Sequence, residues 1–207
     1  MKKILLISLA SLSAFSQTSN IFEPIDVFDL EYISNPQISP SGDKVLYQRN
    51  FNDIMTDQSF SNIWLIDYDG NNNRPITTGN FKDNSPKWSN QGDKFLFKSN
   101  REGKSQIFLF DLNNNSIQKL TNFQYSIESI QWSPNDKYIL FSSFIDSERD
   151  TLIEMPDKPK GAKWNDPPVE ISDLNYRYDS SGFRKPGEVQ FFTIPVNGGT
   201  PLSLIHI

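Results

Sequence analysis

One phrase occurs three times in this chain of 207 residues. It reads ISPSGDKVLYQ from Ile38, WSNQGDKFLFK from Trp88 and WSPNDKYILFS from Trp132, so successive copies begin 50 and 44 residues apart. In each copy a polar stretch that contains Gly or Asp is followed by a short apolar run, which predicts strand, tight turn and strand. A phrase repeated at this spacing limits the chain to folds that are built from equivalent units.

A second phrase completes each unit with two further strands. IWLID and IFLFD (63–67 and 107–111) are apolar runs, and the short segments RPITT and IQKLT (74–78 and 117–121) follow them. Four strands in about 40–50 residues are typical of a β-propeller blade. The sequence therefore predicts an all-β fold, a partial β-propeller of about three four-stranded blades after a signal peptide. The predicted propeller covers 36–201, and its blades span 36–79, 85–122 and 129–201.

The third unit is interrupted by an insertion at 146–187. Its third strand lies in QFFTIPVNGG (190–199), far later than the repeat requires. Such an insertion leaves the blade at a rim, where it meets solvent or a partner. Two interpretations remain open, namely a piece of a substrate gate or domain contact, and a disordered surface loop. The candidate substrate or domain contacts are Trp164, Tyr176, Arg177 and Tyr178.

The repeat also predicts which side chains are buried. Trp88 and Trp132 occupy the same repeat position, which favours packing between blades over a ligand platform. Leu46, Leu96 and Leu140 are equivalent as well, so we expect all three in a blade core. An aspartate at Leu96 or Leu140 is therefore expected to prevent folding, because its buried charge would have no partner.

The first residues have the features of a secretory signal peptide, which we place at 1–16. Lys2 and Lys3 precede the apolar run Ile4–Leu12, and the segment ends in a small-x-small cleavage sequence. The run is shorter than the ~20 residues that span a bilayer, which disfavours a membrane anchor. We therefore expect a bacterial protein that is periplasmic or secreted, with no membrane contact after cleavage. Because the chain has no cysteine, no disulfide supports its fold.

Two further segments lie outside the repeat. In the lead-in segment 17–35, the spacing of Val27, Leu30 and Ile33 favours a short helix. At 202–207 the hexapeptide LSLIHI resembles the conceptual translation of a transposase adapter used in sequencing libraries. We interpret it as a sequencing artefact at the end of a truncated reading frame. The alternative is a genuine apolar edge strand.

Residues that would carry chemistry are largely missing. The formal net charge is −5 and no Lys/Arg-rich stripe occurs, so nucleic acid is not an expected partner. There is no G-x-S-x-G elbow and no Gly-rich phosphate loop, and the single histidine, His206, supports no Ser-His-Asp triad. The segment DYDGNNN (67–73) favours a β-turn over a calcium loop. The sequence thus offers no catalytic residue, cofactor-binding residue or metal ligand, and we expect no cofactor.

Four segments resemble the N-terminal propeller of the prolyl oligopeptidase family of serine peptidases, in its secreted acylaminoacyl-peptidase and dipeptidyl-peptidase branch. They are PQISPSGDKVLYQ, SPKWSNQGDKFLFKSNREGKSQIFLFD, QWSPNDKYILFSS and DLNYRYDSSGFRKPGEVQFFTIPVNGG. The resemblance implies a propeller that lies over an α/β-hydrolase domain of the same parent chain, excludes bulky substrates and helps to bind short peptides. The catalytic residues would belong to that later domain, so the parent would be a hydrolase and this chain alone would be inactive.

Two other functions remain open. One is a non-catalytic periplasmic scaffold that binds proteins, like the propeller of the Tol system. That family carries an α/β domain before its blades, for which the segment before the first repeat leaves no room, and the insertion at 146–187 also argues against it. The other is a propeller enzyme that acts on sugars or on N-terminal glutamine, for which no carboxylate cluster stands out.

Overall fold

The computed structural model describes residues 21–147, 156–165, 168, 170–171, 174–179 and 181–205. The predicted signal peptide at 1–16 and His206 lie outside these residues. Within the described part of the chain, no helix is long and apolar enough to cross a bilayer.

Three four-stranded antiparallel sheets dominate the described structure. The first comprises β1 (Tyr32–Ile38), β2 (Lys44–Asp53), β3 (Gln58–Asp67) and β4 (Arg74–Pro75). The second comprises β5 (Asn84–Trp88), β6 (Lys94–Ser99), β7 (Gln106–Asp111) and β8 (Ser116–Lys119). The third begins with β9 (Ile127–Trp132) and β10 (Tyr138–Asp146). A separate hairpin of β11 (Arg177–Tyr178) and β12 (Gly182–Phe183) follows, and then β13 (Gly187–Pro195) and β14 (Leu202–Ser203) complete the third sheet.

The strand order confirms the predicted all-β partial propeller. Each sheet runs in chain order from one edge to the other. The first strands lie together, since β1 contacts β5 and β5 contacts β9. The three sheets therefore converge at their first strands, as blades do around a propeller axis.

The repeated serine builds the turn between the first two strands of each sheet. Ser39 Oγ accepts a hydrogen bond from the Lys44 amide at 3.0 Å, and the same bond is present in the other two copies. The turn needs a positive φ three positions after the serine, and Gly42, Gly92 and Asp136 adopt φ of 77°, 74° and 54° there. Glycine takes this conformation without steric cost, and aspartate tolerates it better than most residues. The repeated phrase is thus the strand, turn and strand that the sequence predicts.

Two apolar seams between neighbouring sheets form the core. In the first seam, aliphatic side chains of the first sheet pack on phenylalanines of the second: Leu46, Ile63 and Leu65 against Phe95, Phe97, Phe108 and Phe110. The second seam joins the other face of the second sheet to the third: Leu96, Ile107 and Leu109 with Ile130, Trp132, Ile139, Phe141, Phe192 and Ile194. Because each sheet buries a face only against its neighbour, the sheets stabilise one another as repeats do.

Leu140 departs from its predicted place in the core. Leu46 and Leu96 are fully buried, whereas Leu140 is 37% exposed. Side chains alternate along a strand, so Ile139 and Phe141 point to the second sheet and Leu140 points to the opposite face. No described sheet packs on that face, and the predicted burial of Leu140 is therefore wrong.

A 3-10 helix, η1 (Pro24–Asp29), precedes the first sheet. Proline suits a first helical turn, and Asp26 Oδ2 accepts a hydrogen bond from the Glu23 amide at 2.8 Å. The short helix predicted from Val27, Leu30 and Ile33 is only partly present, because Ile33 lies in β1. The first sheet thus begins at Tyr32, within the segment 17–35.

The third sheet contains both unusual segments of the sequence. β10 ends at Asp146 and β13 begins at Gly187, so the chain between these two paired strands is the insertion. Leu202 and Ser203 pair with β13 as the short fourth strand. The interpretation of 202–207 as adapter-derived stays a prediction.

Candidate functional site

The insertion emerges at a rim that the three sheets share. It connects the second and third strands of its sheet, as the turns at 54–57 and 100–105 do in the other two sheets. Because the sheets have one topology and lie side by side, these three connections are at the same rim. Residues on this rim are therefore the candidates for contact with a substrate or with another domain.

A small hairpin within the insertion positions three of the four candidate contacts. Arg177 pairs with Phe183 and Tyr178 with Gly182, whose φ of 76° favours glycine at the turn. The rings of Tyr176 and Phe183 stack with centroids 6.3 Å apart and planes at 30°. The Arg184 amide donates to the Tyr176 carbonyl at 2.7 Å, which closes the hairpin. The hairpin therefore holds two tyrosines and an arginine together.

These side chains are open to solvent. Tyr176 is 45% exposed and Tyr178 is 55% exposed, and Leu174 just before them is fully exposed. Trp164 is 44% exposed in the segment 156–165, and no ring contact joins it to the hairpin among the described residues. Exposed aromatic rings and arginine supply much of the energy at binding surfaces. The structure thus brings together Tyr176, Arg177 and Tyr178, and places Trp164 separately.

A buried ion pair on the same rim was not found from the sequence. Asp83, which directly precedes β5, is fully buried, and Arg101 Nη2 donates to its Oδ2 at 2.8 Å. Arg101 Nε also donates to Ser99 Oγ at 2.9 Å, and its guanidinium lies 4.9 Å from the centre of the Phe108 ring. The Asp83 amide donates to the carbonyl of Ser61 in the first sheet at 3.0 Å. The pair therefore fixes the rim between the first and second sheets.

Two tryptophans join the sheets near the axis. Trp88 Nε1 donates to the Gln37 carbonyl at 3.0 Å, and Trp132 Nε1 donates to the Lys87 carbonyl at 2.9 Å. Each bond runs from the first strand of one sheet to the first strand of the preceding sheet, and each ring packs in the seam it crosses. The predicted role of Trp88 and Trp132 in packing between blades is confirmed.

Lys98 lies between the second and third sheets. Its ammonium donates to the carbonyl of Glu128 in β9. Burial lowers the pKa of Lys98 below its ordinary value, and the nearby Glu128 carboxylate partly opposes that effect. Lys98 thus links the second and third sheets.

Groups for catalysis or metal binding do not assemble in the described ranges. The single histidine lies outside them, so they hold no Ser-His-Asp arrangement. Among the same residues, no group of three or more His, Asp or Glu side chains is placed to hold a metal ion. The chemistry that these residues do present is an aromatic and cationic contact surface at the rim.

The repeated sheets, their seams and the rim insertion define a β-propeller protein. The chain matches the TolB beta propeller domain family over residues 27–158 and belongs to that family. This match covers the first two sheets and reaches into the insertion.

Two curated relatives are peptidases. The chain is 26% identical over 175 residues to the uncharacterized peptidase YuxL of Bacillus subtilis, covering 84% of this chain and 26% of that protein. It is 33% identical over 166 residues to dipeptidyl-peptidase 5 of Porphyromonas gingivalis, covering 80% of this chain and 24% of that protein. The chain therefore spans about a quarter of the length of these relatives.

Solved structures share the fold. An acylaminoacyl peptidase of Pyrococcus horikoshii superposes with a TM-score of 0.63 at 18% identity, covering 85% of this chain and 25% of that one. A TolB-type protein of Agrobacterium tumefaciens gives a TM-score of 0.52 at 19% identity, covering 85% of this chain and 49% of that one. At these identities the likeness shows the fold alone. Together with the peptidase relatives, it fits the resemblance to a propeller of the prolyl oligopeptidase family.

Proposed function

We propose that this chain is the substrate-gating propeller of an exported serine peptidase that cleaves short peptides, of the dipeptidyl- or acylaminoacyl-peptidase type. The observation that carries the proposal is the similarity to two peptidases along at least 80% of this chain, which accounts for only about a quarter of either relative. The remaining length of those relatives is ample for a catalytic domain. In the parent protein the catalytic triad would lie in such an α/β-hydrolase domain. This chain would limit which substrates reach that triad.

The propeller walls and the exposed side chains at the rim would together select the substrate. A propeller over a buried active site excludes large substrates and bulk water by its walls. The exposed Tyr176, Arg177 and Tyr178 would contact either the peptide or the hydrolase domain, and Trp164 would add a separate contact. Export by the residues at 1–16 would place the protein in the periplasm or outside the cell.

Recovery of the DNA beyond the codon for Pro201 tests the proposal directly. We expect the reading frame to continue through further strand repeats into a G-x-S-x-G elbow with a later Asp and His. The full product should react with a fluorophosphonate probe and hydrolyse a dipeptidyl or acyl-amino-acid amide, while the 207-residue chain should do neither. A frame that ends at Ile207, or a full product that the probe does not label, would contradict the peptidase assignment.

A non-catalytic scaffold is the second candidate, and the TolB-type fold neighbour is the observation that favours it. A scaffold of this kind would bind protein partners through its rim and would not react with the probe. The peptidase is better supported, because both curated relatives are peptidases. An unlabelled full product that still binds periplasmic proteins through the hairpin would favour the scaffold.

A further inference from the structure

A polar cleft of about 250 Å³ opens between the second and third sheets, and we call it the seam cleft. Its polar lining consists of the side chains of Lys94, Asp111, Asn114, Ser116, Gln118 and Asn197. Lys94 is the first residue of β6 and Asp111 is the last residue of β7. The insertion leaves the third sheet from the other ends of the equivalent strands, so the seam cleft lies at the rim opposite the insertion.

One smaller side chain accounts for the space in the seam cleft. Leu112 and Val196 are repeat equivalents, each one residue after the third strand of its sheet. Their amides donate to equivalent carbonyls, those of Asp93 and Lys137, both at 3.0 Å. Leu112 packs on the first seam, whereas Val196 packs on the second seam and lines the cleft. Because valine is one methylene shorter than leucine, it leaves space in the second seam that leucine fills in the first.

An ion pair that is closed in the first sheet is open in the seam cleft. Lys44 Nζ donates to Asp67 Oδ1 at 2.9 Å, whereas the equivalent Lys94 Nζ lies 3.8 Å from Asp111 Oδ2. That distance is too long for a hydrogen bond, and the Lys94 ammonium donates none to the residues that the structure describes. Both side chains of the open pair are largely covered, with exposed fractions of 34% and 18%. The open pair therefore presents an ammonium and a carboxylate to a ligand.

Asp111 keeps an acceptor for such a ligand. Its Oδ1 accepts hydrogen bonds from the amides of Asn113 and Asn114 at 2.9 and 3.3 Å. Apart from the lysine, the contact of its Oδ2 among the described residues is a long one, 3.4 Å from Asn114 Nδ2. In the first sheet, by contrast, Asn72 Nδ2 donates to Asp67 Oδ2 at 2.6 Å. The Oδ2 atom of Asp111 is thus the carboxylate oxygen with spare capacity to accept a hydrogen bond.

The charges around the seam cleft favour a zwitterion. Lys94 Nζ also lies 3.5 Å from Asp93 Oδ2, so one ammonium faces two carboxylates, those of Asp93 and Asp111. An ammonium on Asp111 and a carboxylate on Lys94 would satisfy both groups of the open pair, since hydrogen bonds between charged groups are the strong ones. The ligand's ammonium should contribute more than its carboxylate, because carboxylates outnumber the lysine here.

The neutral part of the lining fits a peptide bond. The side chains of Ser116, Gln118 and Asn197 form no hydrogen bond with the described residues. Each carboxamide offers both a donor and an acceptor, which complement the C=O and N–H of an amide. The cleft volume of about 250 Å³ equals that of about eight water molecules at about 30 Å³ each, and glycylglycine has about nine non-hydrogen atoms. The seam cleft therefore has the size and the chemistry for a dipeptide.

We propose that the seam cleft binds a small zwitterionic peptide of dipeptide size, with its ammonium on Asp111 and its carboxylate on Lys94. The site is separate from the rim that carries Tyr176, Arg177 and Tyr178, and the proposal does not rest on the peptidase function. Because the ligand is small and strongly hydrated, we expect a Kd of about 1 mM for glycylglycine.

An NMR titration of the isotope-labelled chain with glycylglycine measures this binding and locates it. The amide signals of Gln118 and Val196 should shift with the expected Kd. N-acetylglycylglycine, which lacks the ammonium, should bind at least about tenfold more weakly, and glycylglycinamide, which lacks the carboxylate, about threefold more weakly. Glucose, a neutral polar molecule, should cause no shift. The proposal is overturned if about 20 mM glycylglycine shifts neither signal, or if N-acetylglycylglycine or glucose binds as well as glycylglycine.

Two variants remove the binding in different ways. Val196→Leu fills the cleft with the side chain that the first seam has, so it should weaken glycylglycine binding at least about tenfold without lowering the melting temperature. Asp111→Asn removes the charged partner of the ligand's ammonium and should weaken binding about tenfold. Asp67→Asn makes the same change in the closed pair of the first sheet, so it is the matched control and should leave binding unchanged.

Circular dichroism checks that each variant is folded before its affinity is measured. Unchanged glycylglycine binding by a folded Val196→Leu or Asp111→Asn chain would show that the peptide lies elsewhere. A loss of binding in Asp67→Asn as large as in Asp111→Asn would also overturn the seam cleft as the site.

Discussion

The second and third sheets share one topology, yet they bury different faces. The second sheet lies between two neighbours, and Leu96 on one face and Phe95 on the other are both fully buried. Among the described residues the third sheet has one neighbour, so Phe141 is buried and Leu140, one residue before it, is 37% exposed. In a propeller the burial of a side chain is therefore set by the adjacent blade as much as by its own strand.

The largest expected effect comes from placing the same charge on the two sheets. Leu96→Asp puts an unpaired carboxylate inside the second seam and should cost more than about 4 kcal/mol, enough to unfold the chain. Leu140→Asp places the charge at a surface and should cost less than about 1 kcal/mol. Chemical denaturation measures both losses. Equal losses would mean that Leu140 is buried in the folded chain as Leu96 is.

The contrast between Leu96 and Leu140 also shows what the sequence predicts and what it does not. The repeat predicted the strands, the turns and the inter-blade tryptophans, because those depend on residues within one unit or at one repeat position. It did not predict that the outer face of the third sheet has no neighbour among the described residues. It also placed the start of the first blade at residue 36 and not at Tyr32, because Pro36 and a register shift between Ser34 and Gln37 interrupt the alternation of side chains in β1.

The candidate site was predictable to a smaller extent. The insertion and its exposed aromatic residues stand out because they break the repeat, and the hairpin brings three of the four named contacts together. Asp83 and Arg101 gave no such signal. They lie in two different connections between strands, with 17 residues between them in the sequence. The Asp83 carboxylate is buried only because the first sheet packs on the second.

The first seam should depend on the buried ion pair. Arg101→Met removes the partner of a fully buried carboxylate and should cost about 3–5 kcal/mol. Adding Asp83→Asn should restore part of the loss, because the buried group would no longer be charged. Lys119→Met breaks the more exposed pair with Glu102 and should change the unfolding free energy by less than about 0.5 kcal/mol. If Arg101→Met lowers the unfolding free energy as little as Lys119→Met does, the ion pair does not stabilise the first seam.

The second seam has a polar contact at the opposite rim that the first seam lacks. Asp136 accepts hydrogen bonds from the amides of Asn90 and Gln91 in the second sheet, at 3.0 and 3.1 Å. Gly92 has no side chain to do the same, and a Cβ there would lie 3.2 Å from Pro40 Cδ. Asp136 is therefore both a turn residue and a contact between sheets.

Replacing Asp136 by glycine separates those two roles. Glycine relieves the positive φ of 54°, so Asp136→Gly would stabilise the chain if the turn alone mattered. Three hydrogen bonds to the charged carboxylate would be lost, the two from these backbone amides and a third from Asn90 Nδ2 at 2.6 Å. Their loss outweighs that gain, and we expect a net cost of about 1–2 kcal/mol. Thermal unfolding of Asp136→Gly beside Asp136→Asn measures the balance. A higher melting temperature for the glycine variant would assign Asp136 to the turn only.

The smallest expected effect is a pH dependence that belongs to the first sheet and has no counterpart in the third. Asp67 accepts hydrogen bonds from Asn72 Nδ2 at 2.6 Å and from Lys44 Nζ at 2.9 Å. These bonds, the Asn72 bond first, hold the pKa of Asp67 below its ordinary value. The third sheet has Tyr138 and Pro195 at the positions of Lys44 and Asp67, so it has no such pair.

The sign of this dependence follows from the lowered pKa. A carboxylate with a lower pKa in the folded state stabilises the fold above its unfolded pKa of about 3.9, and that stabilisation is lost as the pH falls through the folded pKa. Asp67→Asn should therefore flatten the fall of the melting temperature below about pH 4. Because the pair is at the surface, salt should reduce the difference between this variant and the unsubstituted chain. If the melting temperatures of Asp67→Asn and of the unsubstituted chain fall equally as the pH is lowered, the acid sensitivity does not come from Asp67.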